Sequence, residues 1–433
     1  MVQNDGSTQG ADGTIRRYTL LSVFLTILLD LVGFGMFIPI LPSIARSLNA
    51  SNAEAAYLST YFSVGTLISV MVLGRISDRI GRKKILLGTI LLSMVAQGVT
   101  GFALQFESYA ILAFIRFCAG IAAGNISVAQ AAIADITPAH ERARSMVVIG
   151  IAFGAGFALG PAIGALITTL SPDNSLMPIA MTAVGLNLIN FMLVFSRFKE
   201  THHRFAPPEL STIVAAARAG TDSAGQARSS LVQDTRQLLA RPFFKTALLM
   251  QFIQVFGFVG VETILPLVLT DAYAMDQNSV YRAFLFLGAA VLLINGAVSR
   301  KVLARVGEAR TLNAGQLFMT LGIFLIAFFP PNVTGLYGAL AMLSLGTSLA
   351  NPALSGLVSR LSPNDRQGLA LGTAQSLSAG ARILGPAFMG LLYDKLNGAP
   401  SLHISSGLLL VVTLIGMAGL RGLTTRTTLS VHG

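Results

Sequence analysis

Twelve long apolar runs alternate with short polar connectors along the chain, at about 19–45, 53–74, 85–103, 108–135, 143–170, 177–196, 244–270, 281–299, 311–329, 334–360, 367–393 and 402–420. An α-helix rises about 1.5 Å per residue, so about 20 apolar residues cross the hydrocarbon layer of a bilayer. Each run predicts one such helix. The expected fold is all-α and polytopic, with twelve transmembrane helices in two six-helix bundles. The one long interruption, 197–243, contains Pro207-Pro208 and an Ala/Gly/Ser-rich stretch at 215–230, which predicts a linker with at most one surface helix. The predicted organisation is a tail (1–18), a bundle (19–196), the linker (197–243), a second bundle (244–421) and a tail (422–433).

Only 11% of the 433 residues are charged, against about 25% in a soluble protein. The net charge of +11 does not signal nucleic acid, because its distribution follows the connectors. With both termini inside, 25 of the 30 lysines and arginines fall on the cytoplasmic side. Arg46, Arg282 and Lys395 fall opposite, and Arg116 and Arg382 lie within spans. Basic residues are retained on the cytoplasmic face, so this asymmetry sets the orientation and predicts contact with anionic lipid headgroups. The first fifteen residues are polar and the following run is too long for a signal peptide. A bacterial cytoplasmic (inner) membrane location and a functional monomer are expected. The single Cys118 excludes an intrachain disulfide, and the five histidines (140, 202, 203, 403, 432) fall in connectors, at a span edge or in the tail, where solvation is the expectation. No metal-ligand cluster, phosphate loop or nucleophile–base pair is apparent, so no cofactor, metal or enzymatic activity is expected.

The halves repeat. Gly33-Phe34 and Leu41-Pro42 recur as Gly257-Phe258 and Leu265-Pro266. Thr137-Pro138 and Gly160-Pro161-Ala162 recur as Ser362-Pro363 and Gly385-Pro386-Ala387. Ile80-Gly81 is echoed by Val306-Gly307, with Ala304 in the place of Asp78, and Gln254 takes the place of Asp30. A duplicated bundle with a site between its copies predicts a transporter that rocks one half against the other.

Five basic residues, one acid and two glycines crowd into 74–84, between two spans. Gly74 suits close helix approach, and Asp78, Arg79, Gly81 and Arg82, with Asp135 at the foot of span 4, form a candidate gate. Asp30 lies about 13 residues beyond Arg17, so about 20 Å into the bilayer. A charge there costs about 2.5–3.5 kcal/mol, which favours a neutral acid able to take and give a proton; a helix-packing acid is the alternative. Glu262 and Arg382 lie at matched depths and predict an ion pair, either structural or responsive to substrate or proton. Arg116, on the outer half of span 4, is placed to favour the ionised form of Asp30, or else snorkels to water. A glycine ladder, Gly154, Gly156, Gly160 and Gly164 with Pro161, repeats as Gly385-Pro386 and predicts a sliding contact between halves. Phe24, Phe34, Phe37, Phe256 and Phe258 are candidates to line an apolar cavity.

Four of these stretches resemble motifs of one family. The 74–84 segment resembles the loop 2–3 signature of the major facilitator superfamily, and Arg116-Phe-Cys-Ala-Gly120 its helix-4 motif. The 150–164 ladder resembles the antiporter motif of helix 5. Leu28-Leu-Asp30-x2-Gly33-x-Gly35-x3-Pro39-x2-Pro42 is similar to helix 1 of the twelve-helix drug:proton antiporters, the tetracycline-exporter branch included. The acids such exporters carry in helices 3 and 9 are not matched: span 3 has Ala96-Gln97 and span 9 has no acid. The resemblance implies proton-coupled efflux of small amphipathic or apolar molecules such as drugs. It also implies that Asp78 faces the start of helix 11, near 364–369. A transporter of a polar metabolite or siderophore, and a non-transporting scaffold that binds a partner through its linker, are the competing expectations.

Overall fold

The computed structural model describes residues 6–137, 142–171, 176–207, 210, 211, 214, 236–241, 243–362, 367–396, 398 and 400–429. Among these residues the chain is helical and no strand occurs. The elements are α1 (Gly6–Phe37), α2 (Leu41–Ser47), α3 (Asn52–Ile80), α4 (Arg82–Gly101), α5 (Tyr109–Ala123), α6 (Asn125–Asp135), α7 (Arg142–Leu170) and α8 (Leu176–Arg197). They continue with α9 (Phe244–Asp271), α10 (Gln277–Ile294), a π-helical turn (Asn295–Ser299), α11 (Arg300–Val306), α12 (Glu308–Phe328), α13 (Val333–Arg360), α14 (Gln367–Leu396) and α15 (Pro400–Leu429). Among the described residues ten candidate spans are long and apolar enough to cross a membrane; α7 and α14, at 29 and 30 residues, are two further long helices. The linker stretch 215–230 lies outside the described residues, and Gly154 lies on α7.

Four breaks depart from the expected spans, each for a local reason. The first run stops at Phe37 rather than 45, because Pro39 and Pro42 have no N–H to give a continuing helix. The basic 74–84 segment is not a loop. Its residues favour helix, so α3 runs through to Ile80, and only Gly81, at φ 102°, turns the chain before α4 starts at Arg82. Gly307, at φ 82°, makes the same turn in the second half. Span 4 divides at Gly124 into α5 and α6.

Two compact units emerge. One comprises Met1–Phe37 with Tyr61–Arg228, the other Ile38–Thr60 with Ser229–Gly433. The first has a core of Val23, Ile27, Leu86, Ile90, Ile133 and Phe198; the second has one built around Ile264, Val268, Phe284, Met319, Ile323 and Leu340. The start of the linker is packed rather than solvated, with Leu210 and Val214 buried against Ile136.

The glycine ladder works inside each unit, not as the sliding contact expected. A Cβ on Gly160 would sit 2.8 Å from the Cα of Gly35, and one on Gly156 would sit 2.5 Å from the Cβ of Leu31, so α7 lies directly on α1. In the second unit a Cβ on Gly385 would meet the Phe256 carbonyl oxygen at 2.5 Å and one on Gly260 would meet the Gly385 oxygen at 2.9 Å, so α14 lies on α9 in the same way. Pro161 and Pro386 stay inside continuous helices, and Gly164 is buried on α7. Small residues permit this approach because lipid supplies no hydrophobic drive and dispersion contacts must substitute. Gly74, by contrast, has open space where a Cβ would stand, so close approach is not its role.

Candidate functional site

Asp30 is half-buried on α1 and is held by two amides. Asn125 donates through Nδ2 to Asp30 Oδ2, and Asn190 of α8 donates through Nδ2 to Oδ1 at 3.3 Å. The Asn190 Oδ1 atom is buried with no hydrogen-bond partner. One turn further along α1, Gly33 lies against Gln97 of α4, whose Oε1 accepts from Asn187 at 2.6 Å. The acid therefore sits in a wall of neutral amides.

The break at Gly124 puts Asn125 there. At the break the Gly124 N–H donates to the Ile121 oxygen at 3.2 Å, closing a tighter turn than the α-helix. Two hydroxyls of α3 add to this: Thr66 Oγ1 donates to the Gly120 oxygen at 3.1 Å and Ser69 Oγ to the Ile121 oxygen. Only glycine allows the crossing, since a Cβ at Gly120 would stand 2.0 Å from the Phe62 oxygen. The repeat carries the same bond without the acid: Gln254 Nε2 of α9 donates to Asn351 Oδ1 of α13 at 2.6 Å. Asn125 and Asn190 were missed in the sequence, where single amides in apolar runs carry no spacing signal, and Gln97 stood out only as the residue where tetracycline exporters carry an acid.

Among the described residues no hydrogen bond or salt bridge joins Arg116 to Asp30, and Arg116 does not snorkel to the surface. It is 3% exposed, and its guanidinium lies over the rings of Phe34 at 5.3 Å and Phe62 at 5.1 Å, which stack on each other at 4.4 Å. A cation over aromatic faces gains quadrupole attraction without a counter-ion. Phe34 thus serves Arg116, and Phe37 is buried in packing. Glu262 is half-buried on α9 and lines a small apolar pocket with Phe258, Leu265, Phe284, Leu287 and Leu343. The predicted ion pair is not closed. Arg382, exposed on α14, acts on Glu262 electrostatically, but no salt bridge within 4.0 Å joins them among the described residues.

At the basic end of α3 and α4 the candidate gate residues converge. Arg82, 5% exposed, pairs through Nε with Asp135 at 3.0 Å and through Nη1 with Asp78 at 2.7 Å. Its Nη1 also donates to the Gly74 oxygen at 3.4 Å, which gives Gly74 a role through its backbone. All of these residues belong to the first unit, so the bridge is a contact within that unit. Arg79 is exposed, and of 364–369, the expected partner of Asp78, residues 364–366 lie outside the described residues.

Glu200 was not anticipated. Its carboxylate accepts the backbone N–H groups of Arg82 at 2.9 Å and Lys83 at 3.0 Å, the first turn of α4, as well as those of Thr201 and His202. It caps a helix whose own N-cap, Gly81, has no side chain, and a carboxylate is favoured at that positive dipole end. A Cβ on Gly81 would come within 2.5 Å of Glu200 Oε2, so glycine is required there twice over. Glu200→Ala is expected to cost about 1 kcal/mol, read as a lowered Tm in detergent. His202 is 4% exposed rather than solvated. Burial and then Arg82 push its imidazole below the usual range, against the opposing pull of Asp135, Asp78 and Glu200.

The second half repeats this pair with the charges exchanged. Glu308 begins α12, as Arg82 begins α4, and it is bridged by Arg360 at the end of α13, as Arg82 is by Asp135. Arg82→Glu alone is expected to destabilise the protein by about 3 kcal/mol, because it opposes a carboxylate to Asp135 and Asp78. Adding Asp135→Arg and Asp78→Ala reproduces the Ala304, Glu308 and Arg360 arrangement and should restore most of the loss, measured by thermal unfolding.

At the other end of α3, in the second unit, Arg46 donates to both oxygens of Asp271 at 2.7 and 2.6 Å, and Tyr393 donates to the same carboxylate at 2.8 Å. Asp394 accepts the N–H groups of Asn52 and Ala53, the first turn of α3, at 3.1 and 2.9 Å. Arg46, expected only to mark topology, is a structural anchor.

Comparison with known proteins agrees with this architecture. The chain is 26% identical over 382 residues to the class H tetracycline resistance protein of Pasteurella multocida, covering 87% of this chain and 89% of that one. It is 25% identical to multidrug resistance protein 2 of Bacillus subtilis, over 84% and 86% of the two chains. The crystal structure of the human organic anion transporter MFSD10 matches with a TM-score of 0.64 at 23% identity, over 93% of this chain and 99% of that one, a likeness of fold. The Major Facilitator Superfamily model matches residues 23–332 and 300–430. With ten candidate spans among the described residues and the same glycine contacts in both halves, the chain belongs to the Major Facilitator Superfamily of membrane transporters.

Proposed function

We propose that this protein exports small amphipathic or apolar molecules in exchange for protons, by alternating access. One observation carries the reading: Asp30 is the acid of the first span, and its bonding partners are the neutral amides Asn125 and Asn190. Among the described residues no salt bridge fixes a cation beside it, so its charge is free to change when an aqueous path opens. Released on one side and recaptured on the other, one proton yields about 2.3 kcal/mol per 100 mV. The tetracycline and multidrug resistance relatives support the direction of transport. Gln97 on α4, where tetracycline exporters carry an acid, argues for a different cargo from tetracycline.

In this reading the Arg82, Asp78 and Asp135 cluster, with Arg79, lies on the cytoplasmic side and supports the inner gate. Both termini are cytoplasmic, the membrane is the bacterial inner membrane, and the protein works as a monomer. Glu262 and Arg382 meet substrate or proton in the second half. The exposed Arg382 favours a second reading, a carrier of polar or anionic metabolites. Proton-gradient-driven uptake into inverted vesicles decides between them. Accumulation of lipophilic dyes supports export of amphipaths, and accumulation of organic anions alone supports the second reading.

A further inference from the structure

Asn125 occupies two positions at once. It bonds the carboxyl of Asp30, and it is the first residue of α6, whose last residue, Asp135, pairs with Arg82. The eleven residues of α6 are an uninterrupted helix, so ten steps of about 1.5 Å set its ends about 15 Å apart. At its head, Gly124 separates α6 from α5, and the carbonyls of Gly120 and Ile121 are fastened to α3 by Thr66 and Ser69. The lower segment is thus jointed to the upper one rather than continuous with it.

Resting on the proton-carrying role of Asp30, we propose that Asn125 is the positioning residue that passes the protonation state of Asp30 to the Arg82 cluster, with α6 as the strut. Ionised Asp30 accepts from both amides, and hydrogen bonds to a charged acceptor are about twice as strong as neutral ones. Once protonated, its O–H needs an acceptor, and the unpartnered Oδ1 of Asn190 is at hand. The Asn125 bond then loses its charge assistance, and the head of α6 is held less firmly. The second half has the equivalent contact, Gln254 to Asn351, with no titratable member. Among the described residues the groups bonded to Asp30 are Asn125 and Asn190, both uncharged, with the uncharged Gln97 against Gly33 one turn along; at the far end the facing groups are Asp78, Arg82, Asp135, Glu200 and His202.

The test needs no substrate. In a Cys118→Ser background, Ile80→Cys places a thiol on the exposed end of α3 beside the Arg82 cluster. Its labelling by a membrane-impermeant maleimide is followed in inverted vesicles from pH 5.5 to 8.5, normalised to unfolded protein at each pH. The expected result is at least a threefold change in rate across this range. Asp30→Asn should remove the change and hold the rate at its low-pH value. Asn125→Leu should also remove it, although Asp30 is intact. Asn190→Leu should keep it with a displaced midpoint, because Asn190 is not on the strut. Asn125→Ser, too short to reach Asp30, serves if the Leu variant is not monodisperse. A wild-type profile in the Asn125 variants overturns the strut while leaving the Asp30 reading intact. A wild-type profile in Asp30→Asn overturns the Asp30 reading and traces the pH response to His202 instead.

Discussion

Replacing Asp30 by Asn is expected to abolish proton-driven accumulation while leaving a folded protein that still exchanges substrate down its gradient. The side chains are isosteric, and the second half shows that an amide against Asn is a stable pairing at this position, since Gln254 and Asn351 make it at 2.6 Å. Folding should therefore be unaffected or slightly improved, because an acid at this depth is the costlier group. What disappears is the energy source. At 100 mV, one proton per cycle supports about a 50-fold gradient, and that whole factor should be lost. The measurement is substrate accumulation in vesicles with an imposed proton gradient, beside counterflow without one. Retained accumulation in the variant would place the coupling elsewhere, with Glu262 the next acid to examine.

Gly120→Ala should be the most damaging single methyl group in the first unit. The new Cβ would lie 2.0 Å from the backbone oxygen of Phe62, and a backbone atom in a transmembrane helix cannot rotate aside. Gly65 on the facing helix is equally tight, 2.3 Å from the Phe117 oxygen. Helices α3 and α5 would have to separate, losing the Thr66 and Ser69 bonds that secure the break in span 4. The expected cost is at least about 3 kcal/mol, seen as a several-fold fall in monodisperse protein. Asn125 would be carried away from Asp30, so the surviving fraction should transport poorly. Gly88→Ala and Gly185→Ala, whose added Cβ meets nothing within 4 Å, are the controls; each should gain about 0.5–1 kcal/mol from helix propensity.

Much of this site was legible in the sequence because single residues carried the signal. Asp30 stood out as a carboxylate in an apolar run, and its depth followed from helical rise. The Arg82 bridge to Asp78 and Asp135 could be anticipated from opposite charges at the feet of neighbouring spans. Its partners in space could not. Asn125, Asn190 and Glu200 are each unremarkable in their own segment, and their roles depend on which helix crosses which. The expected Glu262–Arg382 ion pair is not closed for the same reason: equal depth in a bilayer does not fix which face of a helix a side chain occupies.

The sequence by itself determined the all-helical, membrane-spanning class, the repeat of motifs between halves and the family, since long apolar runs, glycine spacing and basic connectors act locally and survive without knowledge of neighbours. Tertiary structure alone decided that Gly35 meets Gly160 as Gly260 meets Gly385, that the basic connector is a helix end capped by Glu200, and that Asn125 stands between the buried acid and the charge cluster. Helix rotation and crossing angle set those contacts, and both come from the packing of whole helices rather than from any one stretch of chain.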